Sequence, residues 1–256
     1  MSNVSRRNFL RGTGAAAGVL VAGTTLNAYP SLFGIRTAMA QEMAPDDDLQ
    51  TIINLAATAE LFATTHYLAA INNAEALGLD ELETAYIKAG FLAEQDHLEL
   101  LVSLGAAPVV MEFYVPETLF SDRDLFGAIS EVAETTFVGA YLAATRIFAA
   151  AAQAPFAVTT AQIAAVEAEH RAFMRRIGKK LATNLSYAGY VLHNVSDAVP
   201  VLQPFLDGSG EGFVGPVAPP TADDIAAVRA EAEMLGFDNM VTIGGDLMPV
   251  LPYAAM

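Results

Sequence analysis

The chain has no cysteine. That removes disulfides, thiolate metal sites and cysteine nucleophiles together, and it suits an oxidising compartment without establishing one. Basic residues are also scarce: 13 lysines and arginines stand against 29 acids, a formal net charge of −16. Such a surface repels nucleic acid and anionic lipid, which argues against a DNA-coating role. Histidine is scarcer still, at four. Beyond the N-terminus no apolar stretch is long and uninterrupted enough to cross a bilayer, so a soluble mature protein without stable membrane insertion is expected.

What basic charge there is concentrates at the start. The chain opens SRRNFLRG, continues through the uncharged TGAAAGVLVAGTTLNAYP, and reaches the small-residue site AMA at 38–40. A basic n-region, a modest apolar region and an A-x-A site make a cleavable export signal. Arg6 and Arg7 before Phe9 and Leu10 give it the twin-arginine pattern, so the expected partner is that export machinery and the expected location periplasmic or extracellular. Cleavage after Ala40 would remove four arginines and no acids, taking the net charge from −16 to −20.

The remaining chain fits one large, all-α domain followed by an extension. Apolar periodicity and end signals predict four long helices. The first runs from about Asp48 to Leu77 and stops at Gly78; Asp80 and Glu83 form a capping-box pattern that opens the second, which ends near Gly105. Ser121 or Asp122 caps a third, reaching about Gln153. The link APFAVT leads to Thr159 or Thr160 and a fourth helix, through His170 to about Gly178 and with room to continue to Tyr187. Short links make helices one and two, and three and four, antiparallel hairpins. The middle connection, about 16 residues at about 3.3 Å each, can run the length of a bundle. The bundle is thus expected over 41–190, and a C-terminal extension over 191–256. In that extension, LQPFLDGSGEGFVGPVAPP is expected to be loop, TADDIAAVRAEAEMLGF one short helix ending at Gly236, and the tail to Met256 irregular.

One motif carries chemistry. In LAEQDHLELL, Glu94 stands three residues before His97, so both project from one helix face. VEAEH repeats the pattern with Glu167 and His170, in the second helix of the other hairpin. The first members of the hairpins carry Glu60, seven before Tyr67, and Glu134, seven before Tyr141. Glu60 to Glu94 is 34 residues and Glu134 to Glu167 is 33, so each half reads Glu-x6-Tyr followed by Glu-x-x-His, as a pseudo-twofold bundle requires. Glu131 competes with Glu134 for the helix-three position but breaks the matched spacing. Four glutamates and two histidines from four helices make the ligand set of a di-iron or di-manganese carboxylate site. Fe²⁺ and Mn²⁺ accept these donors. Four carboxylates also offset two divalent ions, whereas buried and unpaired they would be costly.

These stretches (AELFATTHY, LAEQDHLELL, AETTFVGAYL and VEAEHRAFM) resemble the ferritin-like superfamily, and within it exported ferritin-like domain proteins related to desiccation-associated proteins. The resemblance covers roughly residues 48–190 and implies a ferritin-like four-helix bundle. It also implies that Glu60, Glu94, His97, Glu134, Glu167 and His170 hold two iron or manganese ions, with Glu94 and Glu167 bridging. Redox chemistry with O₂ or peroxide is the expected activity, as ferroxidase or peroxide detoxification. A non-catalytic metal-binding or stress-protective envelope protein is the alternative from a different class. Iron storage in a shell fits less well, because the signal, fifth helix and long tail do not suit a cage subunit. A homo-oligomer stays open.

Other residues have plainer readings. Tyr67 and Tyr141 can fill core and bond a carboxylate, or be redox-active beside metal; the former is the commoner arrangement. His66, beside the inward stripe, is expected at the surface or behind the ligands, and His193 to be structural. Asp46–Asp48 look like a solvated helix start that favours the dipole. Asp96, Glu99, Glu131 and Glu169 flank the ligands, and one or two of them could orient a ligand histidine.

Overall fold

The computed structural model describes residues 45–189 and 192–234. The expected export signal with Arg6 and Arg7, the expected cleavage site after Ala40 and the tail beyond Met234 lie outside the described residues. Four long helices dominate: α1 (Leu49–Asn72), α2 (Glu81–Ser103), α3 (Arg123–Ala150) and α4 (Ala154–Ile177). Two shorter ones follow, α5 (Val199–Asp207) and α6 (Ala222–Met234), with a 3₁₀ turn over Val195–Ala198 leading into α5. The all-α, ferritin-like four-helix bundle expected from sequence is present. No helix among the described residues is long and apolar enough to cross a membrane.

Local chemistry sets the helix starts. Asp48 accepts from Thr51 N at 2.7 Å, and Asp80 with Glu83 forms the reciprocal capping box. Asp122 caps α3 through Leu125 N, which settles the choice between it and Ser121. Two boundaries differ from expectation. α1 ends at Asn72, and turns carry the chain to Gly78, whose φ of +62° suits glycine. α4 begins at Ala154, so APFAVT is its first turns and not a link. Pro155 is tolerated there because first-turn N–H groups have no partner inside the helix. Thr159 and Thr160 are not caps: their hydroxyls donate back to Pro155 O and Phe156 O. The chain leaves helix after Ile177, short of Tyr187.

α1 pairs with α2 and α3 with α4 as hairpins. Contacts along α1 trace the connection between them. Ala107 N donates to Asn54, Val109 N to Thr58, Phe113 packs on Phe62 and Phe120 on His66. Each step advances one turn along α1, so the connection runs parallel to that helix. It delivers Arg123, at the start of α3, to the α1–α2 turn, where the guanidinium donates to Gly78 O and to both oxygens of Glu83. α3 therefore runs antiparallel to α1. At this same end α3 and α4 approach closely: a Cβ on Gly127 would lie 2.7 Å from Gly178 N.

The extension is more ordered than sequence suggested. Two strands, β1 (Phe113–Pro116) in the long connection and β2 (Phe213–Val217), pair antiparallel. α5 runs into the LQPFLD stretch expected to be loop, where Pro204 weakens the helical signal. Burial of Val199, Leu202, Phe205 and Leu206 on the bundle overrides that propensity. The predicted short helix is α6, which docks on α2 through Lys88–Glu231 and through Arg229 with Asp96 and Glu99; its expected end at Gly236 lies outside the described residues.

Candidate metal centre

The two Glu-x-x-His motifs and the two single glutamates meet in the middle of the bundle. Glu60 comes from α1, Glu94 and His97 from α2, Glu134 from α3, and Glu167 and His170 from α4. The four glutamates are sealed from solvent, at 1% exposed for Glu60, 2% for Glu134 and 0% for Glu94 and Glu167. The histidine side chains close the cluster at 13% exposed each.

The six side chains form two overlapping groups. Ligand-type atoms of Glu60, Glu94, His97 and Glu167 all lie within 4.8 Å of one another, and so do those of Glu94, Glu134, Glu167 and His170. Glu94 and Glu167 belong to both. Each histidine turns Nδ1 inward: His97 Nδ1 is 3.2 Å from Glu94, 3.4 Å from Glu167 and 3.8 Å from Glu60, while His170 Nδ1 is 2.8 Å from Glu94 and 3.2 Å from Glu167.

The tyrosines tie the halves together. Tyr67 on α1 donates its hydroxyl to Glu134 on α3, and Tyr141 on α3 donates to Glu60 on α1. Each thus bonds the carboxylate of the opposite helix, the commoner of the two roles expected for them. Burial first, then the adjacent carboxylate, pushes both phenols well above the usual tyrosine range, so they remain donors.

The electrostatics are those of a site built for positive charge. Burial, then repulsion from Glu94 and Glu167, pushes Glu60 well above the usual carboxylate range. Glu134 is pushed up in the same way, by burial and then by Glu167 and Glu94. Burial also opposes the Glu94 carboxylate, but the positive charge of His170 and hydrogen bonds from His170 and His97 outweigh it and hold Glu94 well below that range. Both histidines are raised in turn: burial disfavours their charge, and the surrounding carboxylates overcome it. Without a cation the cluster limits its charge by holding protons. Three buried oxygens, Glu94 Oε1, Glu134 Oε2 and Glu167 Oε1, make no well-aligned hydrogen bond, although Glu94 Oε1 lies 2.8 Å and Glu167 Oε1 3.4 Å from an imidazole Nδ1. Buried carboxylate oxygens and imidazole nitrogens converging in this way fit a hard or borderline divalent cation.

The neighbouring acids have other partners. Glu131 points to Arg175, Lys180 at 2.6 Å and Arg171 at 3.5 Å, so α3 brings Glu134 and not Glu131 to the cluster. Asp96 and Glu99 bind Arg229, and Glu169 is exposed. None of these four orients His97 or His170 through a hydrogen bond. His66 also departs from expectation. It is buried, stacked on Phe126 at 5.1 Å with Nε2 2.8 Å from Ser130 Oγ, and burial lowers its pKa to about 3. The aromatic face that α1 presents to the long connection draws it inward. His193 is structural, beside Asp46 and Arg146. Only Asp48 of the acidic start is a simple cap; Asp47 accepts from Ser196 and Asp46 pairs with Arg146, fastening the chain to the extension and to α3.

A family model described as "Ferritin-like domain" matches residues 48–180, and the chain belongs to that family. No curated protein and no solved structure matches it. The fold and the buried carboxylate–histidine cluster are together compatible with metal binding.

Proposed function

We propose that Glu60, Glu94, His97, Glu134, Glu167 and His170 bind two iron or manganese ions, with Glu94 and Glu167 bridging, and that the protein is an exported oxidoreductase acting on O₂ or peroxide. The observation that carries this reading is the overlap: two donor groups share Glu94 and Glu167, one from each Glu-x-x-His motif. A pair of such ions supplies one-electron couples for ferroxidase chemistry or peroxide reduction. The protein's part is to present four carboxylates that offset the ions' charge and two imidazoles that complete the donor set. Tyr67 and Tyr141 fix the carboxylates of Glu134 and Glu60 from the opposite helix. Burial keeps bulk water from the donors, so every charge there acts in a weakly screening medium. Arg6 and Arg7 support twin-arginine export to the periplasm or beyond. Because the donors come from four helices, they converge only in the folded chain.

The test is elemental analysis of protein purified from its export compartment. Close to two iron or manganese ions per chain are expected, and none in a His97→Ala/His170→Ala double variant. Two ions retained by that variant would sink the assignment. Turnover with Fe²⁺, O₂ or H₂O₂ then decides the class. Metal bound without turnover on any of these would replace the enzyme by a metal-binding, stress-protective envelope protein.

A further inference from the structure

The two halves of the bundle match at the cluster but not beside it. On the Tyr67 side the packing is tight: a Cβ on Gly90 would lie 3.1 Å from the Tyr67 ring, and the His170 ring stands edge-on 5.9 Å away. Glycine at position 90 lets the ring fill that space. On the Tyr141 side there is a cavity of about 40 Å³. Its walls include Phe62, Phe137, Ala140 and Tyr141 of the bundle, and α5 lines it with Leu202 and Leu206. The hydroxyl of Thr58, the polar side chain on its wall apart from Tyr141, is occupied by Asn54 O and Val109 N. A void of this size and character holds one small apolar molecule and disfavours water, which needs two to four polar partners.

We propose that this cavity binds a small apolar molecule of the size of dioxygen, and delivers it to the Glu60–His97 side of the cluster. Tyr141 is the shared element: it lines the cavity and donates its hydroxyl to Glu60. The extension then has a role: α5 supplies one wall of the cavity through Leu202 and Leu206. The delivery step rests on the di-metal reading; the cavity's occupancy does not.

Crystals of the full chain pressurised with xenon test occupancy. A xenon site against Phe137 and Tyr141 is expected. It should be lost in Ala140→Leu, which fills the cavity from α3, and gain occupancy in Leu202→Ala, which enlarges it from α5. The Leu202→Ala arm stands even if the larger side chain at 140 prevents folding. In metal-loaded protein, Ala140→Leu should raise KM for O₂ while the metal count stays unchanged. No xenon in the wild-type cavity would overturn the proposal, and so would a xenon site whose loss in Ala140→Leu left KM for O₂ unaltered. Xenon bound by a protein that takes up no metal would refute the di-metal reading and leave the cavity as a gas-binding site.

Discussion

Glu131 and Glu134 lie one turn apart on α3, yet their surroundings predict opposite responses to the same amide substitution. Glu131 faces Arg171, Arg175 and Lys180 with its side chain 14% exposed. Exposed ion pairs contribute about 0–1 kcal/mol, and breaking a buried one costs about 3–5 kcal/mol. A partly buried acid with three cations falls between, so Glu131→Gln should destabilise the metal-free protein by about 1–3 kcal/mol. Glu134 is already pushed toward its protonated form by burial and by Glu167 and Glu94. Glutamine resembles that form and can still accept from Tyr67. Glu134→Gln should therefore change metal-free stability by less than about 1 kcal/mol, and removing repulsion can even raise it. Metal reverses the order. At 100 times its dissociation constant a bound ion adds about 2.7 kcal/mol of stability. Glu131→Gln should keep that increment and Glu134→Gln should lose most of it. Urea denaturation with chelator and with added Fe²⁺ or Mn²⁺, alongside metal analysis, measures both quantities. A metal-induced gain retained in Glu134→Gln and lost in Glu131→Gln would show that Glu131, not Glu134, completes the site.

Three further outcomes are expected. His66 is held neutral at a pKa of about 3 against an ordinary 6.5, so the unfolded chain binds its proton first. Its contribution to stability is complete above pH 6.5 and falls as pH drops toward 3, by at most roughly 4–5 kcal/mol; His66→Gln should flatten this part of the stability–pH curve, and an identical curve for the variant would contradict the assignment. Because carboxylates hold protons on His97 and His170 above the usual histidine range, metal uptake should release protons and weaken as pH falls. Titration calorimetry in buffers of different ionisation enthalpy checks this, and a heat independent of buffer would count against it. Changing Arg6 and Arg7 to lysine should leave precursor in the cytoplasm, as fractionation and blotting would show; normal export would indicate another route.

The cluster was legible in the sequence because its geometry is helical and repeated. Glu-x-x-His fixes two donors on one face whatever surrounds them, and the matched 34- and 33-residue spacings place Glu134 opposite Glu60 without coordinates. The partners of Glu131 were not legible: Arg171 and Arg175 lie a hairpin away, and Lys180 beyond the helix end. The burial of His66 was not legible because its ring partners Phe120 and Phe126 lie 54 or more residues away along the chain. α5 and the β1–β2 pair were hidden for a related reason. Proline-rich stretches lose local signal, and only burial against the bundle makes them regular. The start of α4 was misplaced because a first-turn proline and a pair of threonines imitate a link followed by a cap.

Glu94 and Glu167 are proposed to hold two ions between them. Anomalous diffraction from crystals of metal-loaded protein, collected at the iron or manganese edge, locates those ions. Two peaks about 3.5–4 Å apart are predicted. Both should lie within bonding distance of Glu94 and Glu167, one beside Glu60 and His97 and the other beside Glu134 and His170. A single peak, or two peaks that do not share those glutamates, would contradict that proposal.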